Sequence, residues 1–94
     1  MAKGYVILTE AIKDPEGMKA YAQAAGAAMG GATILAVDTA AKVIEGTWHG
    51  DQTVVLEFES VDAARAWYES EAYQKAAKLR QAAADCNAVI ISGF

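Results

Sequence analysis

Hydrophobic and polar positions alternate most clearly in residues 53–58, and this period of two predicts a β-strand. Side chains of a strand point alternately to its two faces, so the more apolar set, which ends at Phe58, shares one face. The other face carries Val55 and Glu57. We expect the more apolar face to lie against helices and the face with Val55 and Glu57 to point away from them.

Helical spacing begins directly after this strand. Ser60 is a typical N-cap residue, whose hydroxyl can accept a hydrogen bond from a backbone amide of the first turn. Ala64, Trp67 and Tyr68 follow at the i, i+3, i+4 spacing of one helix face. Ser70 is a second candidate cap, so we predict that the helix breaks and restarts there.

An earlier helix and further strands complete the predicted elements. Asp14 and Pro15 favour a helix start, and Gly30 with Gly31 favours its end. The other predicted segments are strands at Gly4–Glu10, Ala32–Val37 and Ala88–Ser92, a possible short strand at Lys42–Glu45, and a loop at Asp85–Asn87. The predicted order is therefore β-α-β, a short β, then β-α-β.

This order predicts an α+β fold, the ferredoxin-like split βαβ repeat, with an antiparallel sheet and two helices on one face. The uncovered face would carry Tyr5, Ile7, Val55 and Ile91, which is too apolar a surface to face water. Two such sheets can cover each other across a two-fold axis. We therefore predict a homodimer that pairs as a dimeric α/β barrel, with a cavity between the sheets.

Length and charge narrow the function classes. Residues 1–94 are enough for one small domain, and much of the 54% hydrophobic content is alanine, which buries little area. Because such a core is thin, we expect a partner subunit to supply further buried apolar area. The net charge of −4 makes nucleic acid an improbable partner, because phosphate binding needs a basic surface.

The cysteine content and the lack of long apolar runs bear on where in the cell the protein is located. Cys86 is the single cysteine and cannot form an internal disulfide, which fits a reducing cytoplasm. No apolar run approaches the roughly 18 residues of a membrane span, and the first residues lack the pattern of a signal peptide. We therefore expect a cytoplasmic protein without a membrane partner.

Two residues are candidates for chemistry. Glu57 is a carboxylate between Leu56 and Phe58 on the face assigned to the barrel interior, where desolvation would make it a usable acid or base. The alternative is a structural Glu57, paired with Arg65, a lysine or a backbone donor. His49 is the single histidine, either a solvated turn residue or a general base at the mouth of the cavity.

Four further residues are predicted to line the cavity and contact a ligand: Tyr5, Glu45, Trp48 and Val55. Trp48 has a second interpretation as an anchor of the dimer interface, where tryptophan is enriched. The scattered acidic residues and the absence of a His/Cys cluster give no support to a metal site. No glycine-rich phosphate loop occurs, so no cofactor is predicted.

Several of these segments together resemble the family called domain of unknown function 1330. The segments that carry the resemblance are EGTW at 45–48, VVLEFES at 54–60, AARAWYES at 63–70, and Tyr73-Gln74. The resemblance implies a ferredoxin-like fold, a dimeric α/β barrel and no established activity. The chain departs from the family pattern at Glu59 and Glu71, where members often have proline, and at Ala32, where they often have arginine.

Three function classes follow. The first, which we favour, is a homodimer that binds a small, partly apolar molecule. The second is a cofactor-free enzyme of the monooxygenase, isomerase or decarboxylase type, by analogy with other dimeric α/β barrels. The third is a structural or interaction module whose barrel is filled. The size of the cavity distinguishes the third class, and the behaviour of Glu57 distinguishes the first from the second.

Overall fold

The computed structural model describes residues 2–94, which form four strands and three helices. In chain order these are β1 (Gly4–Ile12), α1 (Pro15–Ala27), β2 (Thr33–Asp38), β3 (Gln52–Phe58), α2 (Val61–Glu69), α3 (Glu71–Ala83) and β4 (Ala84–Ser92). Within these residues, every helix is too short or too polar to cross a bilayer.

The four strands form one antiparallel sheet in the order β2-β3-β1-β4. Val6 of β1 lies between Leu56 of β3 and Ile90 of β4, which fixes the register at the centre of the sheet. This arrangement confirms the predicted split βαβ repeat and its antiparallel sheet. All three helices pack on one face of the sheet. Their number is three and not two because the second predicted helix is divided at Ser70 into α2 and α3.

Three predicted boundaries are wrong. The segment Lys42–Glu45 lies in the connection between β2 and β3 and adds no strand to the sheet. Asp85–Asn87 is part of β4 and pairs with the end of β1. Helix α1 ends at Ala27, before the predicted glycine pair, and Gly31 instead takes the left-handed conformation in the turn before β2, with φ of 84°.

The starts of α2 and α3 are fixed by capping side chains. Ser60 accepts a hydrogen bond from the amide of Ala63 at 3.0 Å, as predicted for the start of α2. Ser70 ends α2 and starts α3, where its hydroxyl accepts from the amide of Tyr73 at 3.2 Å. Asp14 is the N-cap of α1 and precedes Pro15, but its side chain makes no capping bond.

The core lies between the sheet and the helices. Alternate strand residues contribute Val6, Leu8, Leu56 and Phe58, so the predicted orientation of β3 is confirmed. Three aromatic rings pack against one another at tilted angles. The centroid of the Trp67 ring is 5.0 Å from that of Phe58 and 3.9 Å from that of Tyr73. These buried rings supply much of the apolar area in a core otherwise rich in alanine.

Candidate functional site

The face of the sheet that the helices leave uncovered is apolar along its centre. Ile7 of β1 lies beside Val55 of β3 and Val89 of β4, and Tyr5 lies beside Ile91. The side chains of Val89 and Ile91 are 49% and 45% exposed. The helices pack on the other face of the sheet, and the turn that contains Trp48 and His49 borders this row at Ile7 and Val89. We refer to this surface, with Tyr5, Ile7, Val55, Val89 and Ile91 at its centre, as the open face.

The turn before β3 is fastened to the edge of the open face. The amide of Asp51 donates to the carbonyl of Glu10 at 2.7 Å, and the Asp51 carboxylate accepts from the amide of Ile12 at 2.8 Å. Gly50 lies against the backbone of Glu10 with φ of 84°, and a Cβ atom there would be 2.6 Å from the Glu10 carbonyl. These contacts hold the neighbouring Trp48 and His49 at a defined position beside β1.

A cavity of about 350 Å³ lies between this turn and the sheet. Its volume is within the ~300–1,000 Å³ usual for small-molecule sites. The residues that line it are Ile7, Thr9, Thr47, Trp48, His49, Asn87 and Val89. The indole of Trp48 is held in place by a 2.9 Å hydrogen bond from Nε1 to the hydroxyl of Thr53. The cavity therefore combines an aromatic and aliphatic wall with a few fixed polar groups.

His49 is half-buried and lines this cavity. Its Nδ1 atom lies 2.7 Å from the hydroxyl of Thr9. The ring nitrogen and the hydroxyl can each donate or accept in this bond, which fixes the orientation of the imidazole in the cavity.

Glu57 lies at the other end of the open face. Its Oε2 accepts a hydrogen bond from the hydroxyl of Tyr5 at 3.2 Å, and partial burial together with this bond raises the pKa of the Tyr5 phenol. Glu57 has no ion-pair partner within the described residues. Arg65, one of its predicted partners, instead pairs with Glu69, with 3.8 Å between a guanidinium nitrogen and a carboxylate oxygen. The carboxylate is thus held by one phenol on an otherwise apolar surface.

The predicted site residues consequently form two groups. Glu57 and Thr53 are four positions apart on β3, which places the carboxylate about 13 Å from the Thr53 that holds Trp48. Trp48 and His49 both line the cavity beside the turn, whereas Glu57, Tyr5 and Val55 do not line it. Glu45 is exposed in the connection before the turn and lines a different depression of about 280 Å³, again with Trp48.

Three polar residues of the cavity were missed by the sequence reasoning: Thr9, Thr47 and Asn87. Strand alternation places Thr9 on the same face as Tyr5 and Ile7, so a signal for it existed. Asn87 was hidden by its assignment to a loop. Within residues 2–94 there is no group of three or more His, Cys, Asp or Glu side chains placed to hold a metal ion.

The geometry and the sequence agree with one known family. Residues 3–94 match the family described as Domain of unknown function (DUF1330), and the chain belongs to this family. Its fold is that of the ferredoxin-like α/β proteins. A comparison with curated proteins found no match.

Three solved structures illustrate the similarity of fold. A protein of unknown function from Rhodopseudomonas palustris has a TM-score of 0.76 at 19% identity, over 99% of this chain and 83% of the other. A dimeric ferredoxin-like protein of unknown function from Thermobifida fusca has a TM-score of 0.64 at 15% identity, with coverage of 97% and 91%. A candidate antibiotic biosynthesis monooxygenase from Nitrosomonas europaea has a TM-score of 0.59 at 16% identity, with coverage of 100% and 93%.

Proposed function

We propose that this chain forms a homodimer through its open face and binds a small, partly apolar molecule between the two sheets. The observation that carries the proposal is the uncovered apolar row through Ile7 and Val55, which continues into a cavity with Trp48 in its wall. An apolar surface of this extent is uncommon on a monomer and marks an interaction site. The dimeric neighbour from Thermobifida fusca, which has the same fold, supports this assembly.

The two ends of the open face would have different roles in the dimer. The cavity beside Trp48 and His49 would bind the apolar part of the ligand, because its walls are mainly aromatic and aliphatic. Glu57 would be the main ionisable contact, since a second sheet placed over it would remove water from a carboxylate that only Tyr5 satisfies. Such a group is costly to bury unless a ligand or partner donates to it.

The test uses trans-4-hydroxystilbene in isothermal titration calorimetry. This molecule has two apolar rings in an extended arrangement and one terminal hydroxyl donor, so it can reach from the cavity towards Glu57. Glu57→Gln keeps the shape of the side chain and removes the charge, so it should weaken binding about tenfold or more. Glu59→Gln is the matched control, because Glu59 is an exposed carboxylate just beyond the same strand. It should leave the affinity unchanged, and light scattering should show a dimer for all three proteins.

Three results would count against this proposal. A wild-type protein that remains monomeric at micromolar concentration would remove the interface. A dimer that gives no binding heat with trans-4-hydroxystilbene would favour the third function class, a structural module with a filled barrel. An equal loss in the Glu57 and Glu59 variants would show that general charge, and not Glu57 itself, affects binding.

The contact between Thr9 and His49 specifically favours the enzyme as a second candidate. An oriented imidazole inside a cavity can serve as a general base, and the neighbour from Nitrosomonas europaea supports a monooxygenase type of reaction. His49→Gln keeps a hydrogen-bonding side chain but removes the base. If the protein is such an enzyme, oxygen uptake with 1,4-dihydroxynaphthalene should exceed the uncatalysed rate in the wild type and return to that rate in the variant.

A further inference from the structure

A second cavity, of about 420 Å³, lies on the helix side of the sheet and has no part in the proposed function. It is bounded by α2, α3 and β4, and its lining residues are Tyr68, Arg80, Gln81, Ala84, Asp85, Cys86 and Ala88. Its volume also falls within the ~300–1,000 Å³ usual for small-molecule sites. Because it is on the opposite side of the sheet from the open face, its use does not depend on dimer formation.

Arg80 is the unusual residue of this cavity. Its side chain belongs to α3 and the residue is only 2% exposed, yet Nε has no hydrogen-bond partner. The guanidinium carbon lies 5.8 Å from the centre of the Tyr21 ring, a cation–π contact on one side. An arginine stays charged in proteins, and a buried charge without a paired anion is costly.

The carboxylates near Arg80 do not neutralise it by direct contact. The three ion pairs among residues 2–94 join other side chains. Glu10 is fully buried, but its Oε1 accepts from Gln52 at 2.7 Å and its Oε2 is unpartnered. Asp85 is exposed at the rim of the cavity and forms no ion pair with Arg80.

We propose that this cavity binds a small organic molecule with a single carboxylate, anchored by the guanidinium of Arg80. The planar fork of arginine matches the two oxygens of a carboxylate and provides charge-assisted hydrogen bonds. The ring of Tyr68 and the methyl groups of Ala84 and Ala88 offer an apolar wall for the remainder of the molecule. The negative rim at Asp85 disfavours ligands with several negative charges.

Cys86 supports the cavity but is not its ligand-binding group. Its thiol is directed to backbone carbonyls, at 3.5 Å from that of Ala84 and 3.9 Å from that of Arg80. These contacts connect the start of β4 to the end of α3. Two of the three elements that bound the cavity, α3 and β4, are therefore adjacent in the chain and fixed to each other.

The test is a titration of ¹⁵N-labelled protein with sodium benzoate, followed by amide and arginine Nε–H resonances. Benzoate should produce saturable shifts at Arg80, Gln81 and Cys86. Benzamide has nearly the same shape without the charge and should bind about tenfold more weakly or not at all. Absence of shifts at these residues, or equal binding of benzamide, would overturn the proposal.

Two variants locate the site. Arg80→Gln should weaken benzoate binding about tenfold or more, whereas Lys78→Gln, which removes an exposed charge from the same helix, should have no effect. Ala88→Leu narrows the cavity without altering the guanidinium and should also weaken benzoate binding. If Arg80→Gln does not fold, the benzoate affinity of Ala88→Leu tests the proposal in its place. Unchanged benzoate affinity in a folded Arg80→Gln or in Ala88→Leu would contradict the proposal.

Discussion

Ser70 joins the second and third helices through one hydroxyl group. The Oγ atom donates to the carbonyl of Trp67 at 2.7 Å and accepts from the amide of Tyr73 at 3.2 Å. Ser60, at the start of α2, makes only the capping bond to Ala63. Replacement of each serine by alanine therefore compares a cap that links two helices with a cap that serves one.

The structure sets the size of the difference. Loss of an N-cap costs about 0.5–2 kcal/mol, which is the whole effect expected for Ser60→Ala. Ser70→Ala loses a cap and, in addition, a hydrogen bond worth about 0.5–1.5 kcal/mol. The Trp67 carbonyl retains a bond from the backbone amide of Ser70 at 3.2 Å. We therefore expect a total slightly below the full sum of the two terms, which is about 1–3.5 kcal/mol.

Urea denaturation followed by circular dichroism at one fixed protein concentration measures both variants. We expect a lower midpoint with an unchanged slope, and in thermal melts a decrease of about 4–8 °C for each kcal/mol in a domain of this size. Ser92→Ala is a suitable control, because the Ser92 hydroxyl bonds only to the adjacent Gly93 carbonyl. A Ser70 variant that loses no more stability than the Ser60 variant would refute the reasoning.

The other predictions concern the open face, the turn and the buried phenols. Val55→Asp should place an unpaired charge between the sheets and shift the protein to a monomer or unfold it, and light scattering that shows an intact dimer would contradict this. Gly50→Ala should lower thermal stability by about 1 kcal/mol or more, because φ is 84° and Cβ would meet the Glu10 backbone; an unchanged midpoint would oppose it. Tyr21→Phe should cost about 1–3 kcal/mol, because the hydroxyls of Tyr21 and fully buried Tyr73 are 2.8 Å apart. Burial and this bond raise the pKa of Tyr21 above its usual 10, so wild-type stability should fall as the pH rises above about 10, and the fall should be smaller in the variant.

Local signals in the sequence were sufficient for much of the fold. The alternation along β3 correctly assigned Leu56 and Phe58 to the core and Val55 to the opposite face. The helix caps at Ser60 and Ser70 could also be predicted from the sequence, because a capping side chain and the amide that it accepts from are only three residues apart. These features depend on near neighbours in the chain.

The ends of helices and strands that depend on residues distant in the chain could not be predicted from the sequence. Asp85–Asn87 has the composition of a loop, yet β1 continues far enough to pair with it, and this pairing extends β4. The actual end of α1 at Ala27 likewise lies before the glycine pair that local propensity favours. Tertiary contacts in both cases prevail over weak local preferences.

The candidate site shows the same limit more strongly. Thr9 and His49 are 40 residues apart, and their contact depends on a turn that Asp51 and Gly50 fasten to β1. No periodic pattern reports such a contact. Nor does a periodic pattern show that Arg80 is buried with its Nε unpartnered, because both are properties of the packed structure.

The central claim is that two open faces meet and enclose a binding cavity. An isotope-filtered nuclear Overhauser experiment on a dimer prepared from labelled and unlabelled chains tests it most directly. We predict intermolecular contacts from the methyl groups of Ile7, Val55, Val89 and Ile91. A protein that gives no intermolecular contacts at these methyl groups, or gives them only from the helix side of the sheet, would contradict the account.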